Sequence, residues 1–207
     1  MDTLKSYIRE GEHQTQDFKF RIDDSKKIAR TLAAFANTDG GRLLIGVKDN
    51  GKVTGINPEE EFHMIQAASE IYCKPIVPFT SHVWEEKHKL VLEIIVEESE
   101  TKPHKSFDEN GILKTYVRSK DHTLLANKIL IGVWKEQKRK TAKPQEFGEN
   151  EQLLLAQLEK YEKCTLSRLY KLMQIKKGDI DKLLILFICW ELVKMEITEE
   201  GTFYSLK

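Results

Sequence analysis

Several features that would place a chain in a class at once are scarce or missing from these 207 residues. There are only three cysteines, Cys73, Cys164 and Cys189, an odd number with no CxxC pair. That excludes a disulfide scaffold and points to reduced thiols in a cytoplasmic protein. No run approaches the roughly 18 apolar residues of a membrane span, so no membrane partner is expected. The opening MDTLKSYIREGE lacks the basic-then-apolar order of a secretory leader. Net charge is absent too, with 33 Lys and Arg against 33 Asp and Glu. Bulk electrostatics therefore makes no case for nucleic-acid binding, which would have to rest on a local patch.

Familiar catalytic signatures are also missing. The glycines form neither GxxxxGK[ST] nor GxGxxG, so phosphate-loop and dinucleotide folds have no support. No HxxxH or HExxH spacing suggests zinc, and no GxSxG marks a nucleophile elbow.

What remains is 40% hydrophobic and 32% charged, enough for a core and a polar surface. Composition shifts once, at KEQKRKTAKPQEFGENEQ, where residues 135–144 carry five Lys/Arg and one Glu before Gly148 breaks the pattern. This predicts a main domain over 1–134, a basic linker over 135–148 and a small helical domain over 149–207.

In the main domain, DDSKKIARTLAAFANTDGG reads as a helix with capping oxygens at Asp23, Asp24 and Ser25 and a stop at Gly40 or Gly41. RLLIGVKD reads as a strand buried on both faces. Asn50-Gly51 signals a type I′ hairpin, with KVTGI returning as its partner strand. Asn57, Pro58 and Glu60 open a further helix. FTSHVWEE pairs with KLVLEIIVEE, ILKTYVRS adds a strand, and a last helix is expected from about Asp121 towards Lys138. The order of elements indicates an α+β fold with a mixed sheet and flanking helices.

After Glu149, three helices and a short hairpin give the order of a winged helix. Its third helix, GDIDKLLILFICW, presents two aspartates where a groove reader usually presents Arg, Lys or Asn. It is apolar nearly all round, which favours burial or a subunit contact.

Three groups of residues can carry chemistry. Glu12, Asp17 and Asp49 are carboxylates near strand ends. Such a trio can hold Mg²⁺ or Mn²⁺, and it can equally be three solvated acids with Asp49 serving the turn. Gly40-Gly41 reads as a helix stop, although its amides can also face phosphate. Lys114, Tyr116 and Arg118 alternate on one strand, with Lys102, His104 and Lys105 in the loop before it. This is either a phosphate-binding sheet face or an ordinary solvated one. The basic run KEQKRK offers further attraction to phosphate.

Taken in order, EHQTQDFKF, AAFANTDGGRLLIGVKDNGKVTGI, KPH and YVRS resemble the Schlafen-type Alba-like (AlbA-2) domain over about residues 10–133. The resemblance implies a nucleic-acid partner, since bacterial members are described as DNA-binding or transcriptional regulators, often with a helix-turn-helix or winged-helix tail. Some animal members, similar in fold, cleave structured RNA with three carboxylates and a divalent metal. Carried over by position, those acids are Glu12, Asp17 (where the family usually has Glu) and Asp49, as candidate metal and catalytic residues. Lys19 and Arg118 match a family lysine and arginine. The animal nucleases close a ring from two lobes, so this single lobe implies a homodimer.

The leading expectation is a DNA- or RNA-binding protein of the transcriptional regulator type, with phosphate contacts from Lys19, Arg42, Lys48, Lys105 and Arg118. One alternative is a Mg²⁺- or Mn²⁺-dependent endoribonuclease, and another is an interaction module that binds no nucleic acid.

Overall fold

The computed structural model describes residues 3–207, so the first two residues of the stretch read for a leader lie outside it. By packing, the chain divides into two units that meet at Leu125/Ala126.

The first unit runs α1 (Leu4–Glu10), β1 (Gln16–Lys19), α2 (Ser25–Asn37), β2 (Gly41–Ile45), α3 (Pro58–Glu70) and β3 (Cys73–Lys74). It continues through β4 (Thr80–Glu86), β5 (Lys89–Val96), β6 (Lys105–Phe107), β7 (Leu113–Ser119) and β8 (His122–Leu125). One sheet has the order β1-β2-β5-β4, with β1 and β2 parallel and the other pairs antiparallel. A second, antiparallel sheet has the order β3-β6-β7-β8. The expected α+β class with a mixed sheet is what the chain adopts.

Helix α2 is the centre of this unit. It starts where the Asp24 carboxylate accepts the Lys26 N–H at 2.8 Å, and its run of small residues allows close packing on several sides. Ala29, Leu32, Ala33, Ala34 and Phe35 are fully buried. One face of the mixed sheet joins α2 and α3 in the main core, through Leu43, Ile45, Ile94 and Ile65. The opposite face, with Phe18, Leu44 and Val91, is covered by Leu4, Tyr7 and Ile8 of α1. Strand β2 is thus buried on both faces, as its unbroken apolar run predicts.

The paired glycines have a packing reason. Gly40 takes φ 71°, and a Cβ there would lie 2.8 Å from the Val96 carbonyl oxygen. A Cβ on Gly41 would lie 2.3 Å from the Phe35 ring. The turn after β2 departs from expectation. Lys48 N–H donates to the Lys52 carbonyl and Gly51 N–H to the Lys48 carbonyl, with Gly51 at φ 77° and Asn50 not among the positive-φ residues. This is a three-residue loop ending in a left-handed glycine, not a two-residue type I′ turn. KVTGI contributes a single bridge, Val47 to Val53, because Thr54 and Gly55 turn back to donate to the Gly46 carbonyl.

The second unit contains α4 (Lys128–Arg139), α5 (Glu149–Tyr161), β9 (Cys164–Thr165), α6 (Leu166–Met173), α7 (Lys177–Cys189), β10 (Val193–Thr198) and β11 (Gly201–Leu206). The three strands form an antiparallel sheet in the order β10-β11-β9. The helix expected from Asp121 starts later, because residues 122–125 pair with β7 as a strand. Asn127 then caps α4 by accepting the Leu130 N–H at 2.9 Å. The composition shift at residue 135 accordingly falls inside a helix. Gly132 lets α4 approach α7 closely: a Cβ there would meet Ile185 Cδ1 at 2.3 Å. Phe147 lies 5.5 Å from Phe187 and stacks at 6.3 Å on Trp190. The apolar surface of α7 is therefore covered within its own unit.

All three cysteines are free thiols, with Cys73 and Cys164 buried. Burial pushes the Cys73 thiol up to about 12, so it is inert at neutral pH. Among the described residues no helix is long and apolar enough to cross a membrane.

Candidate nucleic-acid interface

Strand β1 presents Asp17 and Lys19 on one face and Phe18 on the other, as strand alternation requires. Phe18 is buried under α1, while Asp17 turns towards β7. Lys19 Nζ lies 2.9 Å from one Asp17 oxygen, and Arg118 Nη2 lies 3.3 Å from the other. Glu12 folds back over the strand, its Oε1 accepting the Phe18 N–H at 2.9 Å.

Burial and the neighbouring Asp17 carboxyl push Glu12 up to about 7. Burial acts upward on Asp17 as well, but Glu12 together with Lys19 and Arg118 holds it below the usual carboxylate range. The pair thus separates, Glu12 towards its protonated form and Asp17 towards its charged one.

Asp49 does not join them. It is exposed in the turn after β2, and among the described residues no group of three His, Cys, Asp or Glu is placed to hold a metal ion. Both Asp17 oxygens are already engaged by cations. The implied Mg²⁺ or Mn²⁺ therefore does not fit a site shared by Glu12, Asp17 and Asp49, and the expected convergence of these acids is corrected.

Arg118, expected as a phosphate contact, is buried with its side chain 2% exposed. Its Nη2 donates to the Gln16 carbonyl at 3.2 Å and the guanidinium lies 5.3 Å from the Phe35 ring. The reason is that β7 packs its Tyr116–Arg118 segment inward. Asn37, itself 2% exposed, donates from its amide to the carbonyls of Tyr116 and His104 and accepts the His104 N–H, all within 2.8 Å. Asn37 thus ties α2 to β6 and β7. The FANT segment carried that signal, since an asparagine in an otherwise apolar buried run needs partners.

Arg42 is engaged on the opposite sheet face. Its Nε lies 2.5 Å from Glu93 Oε1, and its guanidinium sits 3.5 Å from the centre of the Tyr7 ring. Glu93 also accepts the Trp84 indole N–H at 2.7 Å. Of the five expected phosphate contacts, Lys48 and Lys105 are exposed and Lys19 is half-buried on Asp17, whereas Arg42 and Arg118 hold the fold.

Two cations that sequence reasoning did not single out are Lys74 and Arg21. Lys74 stands directly opposite Lys105 in the β3–β6 pairing, and both are exposed. Arg21 lies beside Phe20, an aromatic 47% exposed.

The family model for Schlafen, AlbA_2 matches residues 12–127. That is more than half of the chain, and the protein belongs to this nucleic-acid-related family. No curated protein matches the sequence. Among solved structures, the DIP2311 protein from Corynebacterium diphtheriae is similar at a TM-score of 0.48 and 18% identity. That match covers 68% of this chain and 32% of the DIP2311 chain, so this chain spans about a third of that protein. The N-terminal domain of a RecG-related protein from Nitrosomonas europaea, described in terms of an ATP-dependent DNA helicase, is similar at a TM-score of 0.44 and 21% identity. Here the match covers 62% of this chain and 97% of that domain.

Proposed function

We propose that this chain is a nucleic-acid-binding protein of the DNA-binding transcriptional regulator type, gripping the phosphate backbone through exposed lysines. The observation that carries the reading is the Lys74–Lys105 pair. Like charges directly opposite across two strands repel each other. A phosphate placed between them turns that repulsion into attraction, and strand pairing holds both lysines ready for it. Lys48 adds an exposed cation after β2, and Lys135, Arg139, Lys140 and Lys143 add others at the end of α4 and just beyond.

The second unit supports a winged-helix reading, with α5, β9, α6, α7 and the β10–β11 hairpin in that order. In that reading α7 occupies the groove-reading position. Its Asp181 is bound to Lys128 at 2.5 Å and accepts from the Tyr170 hydroxyl, which leaves little for base edges. Phosphate contact without base reading is the mode these residues favour. A homodimer completes the proposal, because one lobe does not encircle a duplex. Sedimentation equilibrium should give twice the 24.1 kDa chain mass, and a strict monomer removes that part.

The main test is fluorescence anisotropy with DNA and RNA of mixed sequence across a salt series. Affinity should fall steeply with salt, and the double variant Lys74→Glu/Lys105→Glu should lower the log–log slope by about 2. No binding to either polymer at low salt overturns the function.

A further inference from the structure

Phe20 directly follows β1 and is 47% exposed, although a buried strand lies immediately before it. Lys48 Nζ lies 5.3 Å from the ring centre and the Arg21 guanidinium 5.8 Å. Both cations lie over the ring, further from it than Arg42 lies from Tyr7 at 3.5 Å, and Phe20 still keeps nearly half of its surface exposed. Backbone bonds hold the two strand ends together, since the Gly46 and Val47 N–H groups both donate to the Lys19 carbonyl. The result is a cluster of one half-exposed aromatic ring with two cations over it, at the C-terminal ends of the parallel strands β1 and β2. Arg21 also reaches Asp23 at 2.6 Å, but both side chains are largely exposed, 61% and 72%, so a phosphate can exchange for that carboxylate at small cost.

We infer that Phe20, flanked by Arg21 and Lys48, is a stacking platform for an unpaired base, and that single-stranded nucleic acid is the ligand of this surface. Every base offers a π-face, and the phosphates on either side of a stacked base lie within reach of long cationic side chains. A duplex keeps its bases stacked on each other and offers this ring nothing beyond its phosphates. This deepens the nucleic-acid-binding reading above and rests on it.

The experiment compares the full-length protein with Phe20→Leu and Phe20→Tyr by anisotropy, on a labelled single-stranded DNA, the same sequence in RNA, and its duplex. Because the ring is half exposed, both variants should fold, which circular dichroism and thermal melting check. Phe20→Leu should weaken binding to both single strands by at least about fivefold, as loss of one base–aromatic contact requires. Phe20→Tyr, which retains a π-face, should bind as the unmodified protein does, and duplex affinity should be the same in all three. Equal binding of Phe20→Leu and the unmodified protein to single strands overturns the platform, and so does a matching loss on duplex. If the unmodified protein binds no nucleic acid at low salt, the functional reading falls as well, whereas binding that ignores Phe20 removes the platform alone.

Discussion

Glu12 and Asp17 are neighbouring carboxyls drawn to opposite states, Glu12 towards its protonated form and Asp17 towards its charged one. The asymmetry follows from position. Asp17 lies between Lys19 and Arg118, which favour its ionised form, whereas Glu12 offers a hydrogen bond only while it keeps its proton. Asp17 thus keeps its charge against two cations, and Glu12 is the carboxyl that gives way.

Stability should respond to pH through that dyad. Glu12 has its folded pKa raised from 4.5 to about 7, so the folded state holds a proton that the unfolded state has released between these values. Its contribution is full below pH 4.5 and is lost as pH rises through 7. Asp17 has the opposite sense: its contribution is present above its ordinary value of 3.8 and is lost on acidification below that. Urea midpoints should therefore fall from pH 5 to pH 8, and Glu12→Gln, which keeps an N–H donor at every pH, should flatten that fall. Parallel midpoint curves for the two proteins would refute the raised Glu12 value.

Arg118 should behave as a structural residue. Arg118→Gln removes the cation that faces Asp17 in a buried site, and the expected loss is about 3 kcal/mol in chemical denaturation, typical of breaking one side of a buried pair. A variant that remains as stable as the original protein, yet binds nucleic acid with a lower salt slope, would return Arg118 to the phosphate contacts.

Asn37→Ala should cost about 3 kcal/mol, because it leaves the carbonyls of His104 and Tyr116 and the His104 N–H without their side-chain partner. Asn37→Asp should be at least as damaging, since a carboxylate cannot donate to either carbonyl. Equilibrium unfolding in urea reads both, and a loss under about 0.5 kcal/mol for Asn37→Ala would mean that β6 and β7 are held to α2 by other contacts.

Gly41→Ala should destabilise by about 2 kcal/mol through overlap with the Phe35 ring. The cause can be isolated with the double variant Gly41→Ala/Phe35→Leu. If the overlap is responsible, the two changes together should cost less than the sum of each alone. Simple additivity would place the strain elsewhere.

Local signals in the sequence carried much of this fold. Asp24 and Asn57 cap the helices they were expected to cap, and the unbroken run Leu43–Ile45 is the strand buried on both faces. The errors came where a partner distant in the chain decided the outcome. His122–Leu125 has enough apolar character to continue into the following helix, but pairing with β7 makes it a strand, and the overlooked signal was the cap at Asn127. The short helix α1 is not legible in the sequence, because seven residues give hardly two turns of periodicity. It persists because it covers Phe18 and Leu44.

The candidate site divides along the same line. The presence of Asp17 and Lys19 on one strand face followed from alternation alone, and the sequence by itself determined the α+β class, the caps and the order of elements, because these depend on neighbours within a few residues. Only the tertiary structure decided that Arg118 is a buried partner of Asp17, that Asp49 stands apart from Glu12, and that Lys74 faces Lys105. Each of these depends on strand register and on which face α2 covers, and burial sets the balance between desolvation and pairing that gives a charged residue its role.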